Sequence, residues 1–423
     1  SPCTHGSAST PIMIIVGNNQ HHHDEKIIVQ EKWAYRADLA EQAINERHAS
    51  RVWGIPKTNL AVVTWPPTSR DKLFFHWHYW WQAHYLDCLI DAAHRHPTSA
   101  RLARVKYTLR GIRVRNLRNV RANRYYDDKA WLALASQRVA SLKNQKEPKH
   151  LKPLESDISD GKDSLMGVVP WRTNETFYNV PTNGPAAIMF ARAGQLGAAK
   201  ELTDWVFDNL VGDDGLVMDG VRMRMHGPEV VKDIHPYCQG VMLGACLEIS
   251  DALRKAAGLE QPISSIADAE KADEAMSYIT KIRDLVHSIA KTMATPGGVI
   301  DWQTGGGDGG LFKGILARYL ADVAVRLPDD SGLNRATRKI AARLVLSSAE
   351  SVWNHRLEID GLPVFSADWV NDAALPQNSG VVGSSISGAV SSSQIAERDL
   401  SVQLSGWMLL EAAARVSQAG YAR

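Results

Sequence analysis

Apolar residues recur at spacings of three and four through about ten to twelve segments of this chain, and strictly alternating stretches are short and rare. A chain patterned this way hides its apolar surface by packing helix against helix, so the fold class it allows is all-α. The clearest predicted helices cover 35–53, 74–95, 128–143, 183–211, 239–257, 267–294, 311–325, 335–353 and 399–416. Gly194 is expected to break 183–211 into two helices. Segment 144–163, rich in Lys, Asp, Ser and Pro, and segment 377–393, rich in Gly and Ser, read as surface loops. Residues 1–30 read as an N-terminal tail or appended remnant, and 31–423 as one domain.

Between helices, glycine four times begins a short apolar string: Gly167-Val-Val-Pro-Trp171, Gly215-Leu-Val-Met-Asp219, Gly298-Val-Ile-Asp-Trp302 and Gly361-Leu-Pro-Val-Phe365. The intervals are unequal, so no regular solenoid is implied. Helix pairs whose loops carry Gly, Trp and Asp at one end suggest a toroid of hairpins with a site built on those loops. An irregular helical bundle fits the same pattern.

Composition excludes several classes of function. A formal net charge of +2 over 423 residues gives no reason to expect nucleic acid as the main partner. Four cysteines are too few for a disulfide framework. No run approaches the roughly 18 to 20 apolar residues of a membrane span, so no stable membrane insertion is expected. The first residues lack a basic start and a long apolar core, which fits a cytoplasmic protein or a secreted one whose signal has been removed. A monomer is expected. Thirteen tryptophans exceed what a core needs and point to ligand-facing aromatic surface.

The segment Asn123-Arg-Tyr-Tyr-Asp-Asp-Lys-Ala-Trp131 sets Asp127 and Asp128 at the start of a helix. Such acids can simply cap the helix and complement its dipole. They can also be the two carboxyls that glycoside hydrolysis requires, and Tyr125, Tyr126 and Trp131 are the aromatic neighbours that hold sugars. Adjacent residues can bring their carboxyls to the roughly 5 to 5.5 Å separation of a retaining enzyme.

Three motifs in order carry a family resemblance. Tyr125-Tyr126-Asp127-Asp128 followed by Trp131, His235-Pro-Tyr-Cys-Gln-Gly240 followed by Leu243 and Gly244, and Gly307-Asp-Gly-Gly-Leu-Phe-Lys-Gly-Ile315 together resemble glycoside hydrolase family 76, the bacterial and fungal endo-α-1,6-mannanases. The resemblance extends over most of the chain. It implies an α/α toroid (a six-hairpin barrel) with short β-turn loops at the active-site end, and a retaining double displacement with Asp127 as nucleophile and Asp128 as acid/base. It further implies substrate contacts from Trp171, Asn179, Asn183, Tyr237 and Gln239, no metal and no cofactor. The expected partner is α-1,6-linked mannan or a mannooligosaccharide, including an anionic envelope lipoglycan. Cys238 departs from the family pattern, which has asparagine there. Transfer of the glycosyl group to another sugar, and mannan binding without turnover, are the alternatives.

Other signals have weaker readings. Gly305-Gly-Gly-Asp-Gly-Gly310 satisfies the dinucleotide pattern GxGxxG but lacks the strand–helix–strand setting that nucleotide binding needs. It reads instead as a close backbone approach to ligand, with Asp308 hydrogen-bonding sugar hydroxyls or capping a helix. His76 and His78 would point apart on a helix, so no metal is expected there. Trp77, Trp80, Trp81 and His84 share a face that is either core or a sugar platform. Between Arg101 and Arg124 there are nine basic residues and no acid, a solvated face or an electropositive margin for an anionic glycan.

Overall fold

The computed structural model describes residues 10–258, 265–377, 385–386 and 389–421. Its helices are α1 (Thr10–Arg47), α2 (Ser69–Lys72), α3 (Tyr79–Arg95), α4 (Ser99–Arg115), α5 (Tyr126–Val139), α6 (Leu151–Asp160), α7 (Val180–Arg192), α8 (Leu196–Asn209), α9 (Pro236–Ala256), α10 (Ile266–Thr292), α11 (Phe312–Arg326), α12 (Gly332–Asn354) and α13 (Leu400–Gln418). Six of them form a closed inner ring, packing α3 on α5, α5 on α7, α7 on α9, α9 on α11, α11 on α13, and α13 back on α3. The others, apart from the single turn α2, lie outside: α1 against α13 and α3, α4 on α3, α6 on α5, α8 on α7, α10 on α9, and α12 on α11 and α13. This is the expected α/α toroid of six hairpins. Close approach of α9 to α11 requires Gly240, since a Cβ there would lie 3.0 Å from the Leu316 Cα.

The differences from the sequence reading have local causes. Gly194 does end α7, at φ +79°. The helix expected from residue 74 begins only at Tyr79, because Phe74 and His78 take left-handed φ of 57° and 51°. Segment 144–163 is not all loop: Leu151, Leu154, Glu155 and Ile158 recur on one face of α6 and are buried there. The basic run carries α4, whose buried face is Val105, Thr108, Leu109 and Ile112 and whose N-cap is Thr98. Helix α1 continues unbroken through position 30, where the tail was expected to end. Most of segment 377–393 lies outside the described residues.

Among the described residues, nine short strands decorate the ring. β1 (Ala49–Ser50) pairs with β2 (Leu60–Ala61); β3 (Phe177–Asn179), β4 (Met218–Arg224) and β5 (Gly227–Ile234) form an antiparallel sheet in that order. β6 (Leu357–Ile359) pairs with β7 (Leu362–Val364), and β8 (Ser385–Ile386) with β9 (Ala389–Val390).

The glycine-led strings gain a meaning here. Near the start of an inner helix, an amide side chain grips both backbone groups of one buried residue in the preceding loop. Gln82 holds Ala61, Asn183 holds Val169, Gln239 holds Val217 and Gln403 holds Phe365. Val169, Val217 and Phe365 belong to three of the four strings; in the fourth, Ile300 donates its N–H to Ser348 Oγ. Each clamp satisfies backbone groups that would otherwise be buried unpaired. Gln239→Leu strands the N–H and C=O of Val217, so a loss of about 3 kcal/mol is expected. Denaturant unfolding would measure it; a loss below about 0.5 kcal/mol would refute the clamp.

At the ring's far end, where the inner helices finish, lies a cavity of about 710 Å³. Its wall is arginine paired with carboxylate: Arg95 with Glu411, Arg192 and Arg326 with Glu248, Arg415 with Asp322, and Arg138 and Arg318 with Asp87 and Asp91. The guanidinium groups complement the negative ends of converging helix dipoles and tie neighbouring inner helices together. The paired acids of the sequence motif lie at the other end, so chemistry is sought there despite the smaller volume.

Candidate active site

The N-terminal ends of the inner helices converge on a cavity of about 460 Å³. Tyr79 and Trp80 come from α3, Asp127, Asp128 and Trp131 from α5, Asn179 and Pro181 from the start of α7, Tyr237 from α9, and Asp308 and Phe312 from the turn into α11. Trp171, Asp219, Ala389 and Val390 arrive from the loops and short strands above. Helix starts present unpaired N–H groups and a positive dipole end, so this rim favours carboxylates and oxygen-rich ligands.

Asp127 and Asp128 occupy the first turn of α5 and line the cavity. Asp127 accepts hydrogen bonds from the Asp128 backbone N–H at 2.8 Å and from Trp171 Nε1 at 3.2 Å. Asp128 accepts one from Asn123 Nδ2 at 3.0 Å. Burial and the neighbouring charge of Asp128 push Asp127 well above the usual carboxylate range. Burial, opposed by the Asn123 bond and helped by Asp308, lifts Asp128 to about 7. With both carboxyls raised, the pair retains a proton into the neutral range.

An aromatic box surrounds them. Tyr237 stacks on Phe312 with centroids 3.9 Å apart, and Trp131 lies parallel to Tyr237 at 6.3 Å. Trp80 contacts Trp131, Tyr237 and Phe312, and Trp171 leans on Tyr125. Flat rings and buried acids suit a pyranose, whose C–H faces stack while its hydroxyls donate. Among the described residues no cluster of His, Cys, Asp or Glu could hold a metal ion.

The expected site residues separate into two groups. Trp171, Asn179, Tyr237 and Asp308 line the cavity with the acid pair. Asn179 Oδ1 is buried with no partner among the described residues and so remains available to a ligand. Asp308 is already engaged: one oxygen accepts from Trp80 and Trp81 Nε1, both at 2.8 Å, and the other from Val390 N–H at 2.8 Å. It positions the aromatic wall and the β9 strand. Asn183 and Gln239 are fully buried and do not line the cavity, their amides being the loop clamps described above. Tyr126 packs its ring against Gly161 after α6, and Tyr125 faces the cavity in its place. Cys238 is buried in α9 and does not reach the cavity wall.

The sequence reading missed Asp219. It sits on β4, lines the cavity, and is raised to about 7 by burial and by Asp233, against the pull of Arg222. It closes one of the glycine-led strings, the only signal that could have marked it.

Residues 57–402 match glycosyl hydrolase family 76. The chain belongs to that family. It is a glycoside hydrolase, as the three ordered motifs implied. Among solved structures, the α-1,6-mannanase of Salegentibacter sp. HEL1_6 aligns at TM-score 0.70 and 27% identity, covering 91% of this chain and 99% of its own. An inactive variant of that enzyme, with two consecutive aspartates changed to asparagine, was solved with α-1,6-mannotriose. The Lin0763 protein from Listeria innocua shares the fold at TM-score 0.71 and 23% identity, covering 92% of this chain and 99% of its own. No curated protein sequence matches the chain at a significant level. Within this family 76 hydrolase, the box and the acid pair occupy the end of the toroid at which the inner helices begin.

Proposed function

We propose that this family 76 hydrolase is a retaining endo-α-1,6-mannanase acting on the mannan backbone of a polysaccharide or an envelope lipoglycan. The observation that carries the reading is the consecutive pair Asp127 and Asp128 at the floor of an aromatic cavity. The Salegentibacter α-1,6-mannanase and its mannotriose complex support the choice of glycan.

The hydrogen bonds suggest which acid holds the retained proton. Asp127 receives two N–H donors and Asp128 one. Donors to a carboxylate stabilise its charged form, so we place the charge on Asp127 and the proton on Asp128, the two N–H donors to Asp127 opposing the stronger upward push of burial on that carboxyl. In the first step Asp127 attacks the anomeric carbon, the C1–O6 bond breaks, and the Asp128 proton goes to the departing O6. In the second, Asp128 takes a proton from water, the water oxygen bonds to C1, and the ester to Asp127 breaks. Two inversions leave the product with the α configuration of the substrate.

Linear α-1,6-mannan incubated with the protein is expected to release shorter oligosaccharides whose new reducing ends appear first as the α anomer by proton NMR. A first-formed β anomer would overturn retention, and untouched mannan would overturn the substrate.

A further inference from the structure

Next to the active-site cavity lies a surface that the glycan chemistry leaves unused. Segments 51–59 and 69–78, with the end of α4, come together there: Trp53 Nε1 donates to Leu73 O at 2.8 Å, Arg115 Nε to Phe74 O at 2.8 Å, and Arg110 to Lys57 O at 3.4 Å. Trp53, Ile55, Leu73, Phe75 and Leu117 are all exposed, Phe75 at 59% and Leu117 at 80%. Large apolar side chains gathered on open surface mark a place of contact.

The charge around them has one sign. Lys57, Arg70, Lys72 and Arg118 are exposed and Arg113 is half-buried, and among the described residues none of them makes an ion pair with an acid. Segments 51–59 and 99–124 contain no acid, and the one acid of 69–78, Asp71, is buried and bonded to Thr64. Arg70 lies 5.6 Å from the Phe75 ring centroid. Of the nine non-glycine residues with positive φ among the described residues, six fall here: Trp53, Lys57, Phe74, His78, Leu117 and Arg118. Such strain persists where the surrounding structure holds side chains in a required place.

We propose that this face docks the protein onto an anionic lipid bilayer. Aromatic and aliphatic side chains ringed by Lys and Arg are the composition that enters the headgroup region of a membrane while the cations meet its negative surface. A nucleic acid would want stacking rings along a basic groove, whereas the exposed rings here, Trp53 and Phe75, stand among Ile55, Leu73 and Leu117; a protein partner would want a mixed-charge rim, and the exposed charges of these segments are basic. His78, Tyr79 and Trp80 follow directly on the docking segment and line the active-site cavity, so a docked molecule opens its cavity beside the membrane. The docking does not depend on which glycan is cleaved.

The test is co-sedimentation of the whole protein with vesicles of phosphatidylglycerol and phosphatidylcholine, against vesicles of phosphatidylcholine alone. The expected result is binding to the anionic vesicles only, weakened by added salt. At roughly fivefold per basic residue near an anionic surface, Lys57→Glu, Arg113→Glu and Arg118→Glu together lower partitioning by at least about 100-fold. Phe75→Ser with Leu117→Ser lowers it about tenfold by removing the inserted apolar groups. Both variants should keep the wild-type far-UV circular dichroism spectrum and Tm, which shows that they are folded. Equal binding to neutral vesicles, no binding at low salt, or binding that ignores either set of changes overturns the proposal.

Discussion

Replacing Asp127 with asparagine is expected to lower kcat on α-1,6-mannan by about 10⁴-fold or more, because the carboxylate that forms the glycosyl ester is lost. Asp128→Asn should cost about 10² to 10⁴-fold, the range for loss of a general acid. The two variants differ in how they are rescued. With an activated aryl leaving group that needs no proton, Asp128→Asn should regain the first step, and azide should then give a product of retained configuration. Asp127→Asn with azide should give the inverted product. Exchange of these outcomes would exchange the roles; no rescue of either would remove the pair from the mechanism.

The pH dependence follows from the same pair. Asp128 is raised to about 7, so it holds its proton below that value, and kcat/KM should fall as pH rises through about 7. Asp128→Asn should lose that limb. Stability has a definite sign too. The folded pair keeps a proton that the unfolded chain releases from about pH 4 upward, so stability should decline as pH rises from about 4 through about 7. Asp128→Asn should flatten that slope and unfold at higher denaturant at pH 8, although its activity is poor.

The second large effect is expected at the opposite end of the toroid. Arg138 of α5 and Arg318 of α11 each bridge Asp87 and Asp91 of α3, with Arg138 to Asp91 at 2.6 Å and Arg318 to Asp91 at 2.8 Å. Burial alone would raise Asp87, but the attraction of Arg318 and Arg138 outweighs it and holds the carboxyl well below the usual range. Arg318→Met leaves two buried carboxylates with one guanidinium, a loss of about 3–5 kcal/mol. In a chain of this size that lowers Tm by about 3–6 °C. A depressed carboxylate stabilises the fold above its unfolded pKa and loses that contribution as pH falls through the folded one. The gap between wild type and Arg318→Met should therefore narrow below about pH 4. Adding Asp87→Asn to Arg318→Met should recover part of the loss, since the stranded charge is the main penalty. A Tm change under about 1 °C for Arg318→Met would show that the square carries no stability.

What the chain reveals without its fold is whatever repeats locally. Spacings of three and four marked most of the helices, Gly194 marked a break, and two consecutive acids before Trp131 marked the chemistry, because helix periodicity and residue adjacency are properties of neighbours in sequence. What needed the tertiary structure is direction. Asn183 and Gln239 have the side chains of sugar-binding residues and stand beside Asn179 and Tyr237, yet each turns inward to hold Val169 or Val217, since a buried loop must satisfy its backbone before a ligand can use those amides. Asp308 was visible as an acid in a glycine run, but its three donors come from α3 and β9, more than 80 residues away on either side. Asp219 became a cavity residue only when β4 was laid against β3. The periodic pattern therefore decided that helices would form and nearly where. Closure of the inner ring, α13 on α3, decided which ends would meet, because only a closed ring brings distant helix starts, and the acids upon them, to one point.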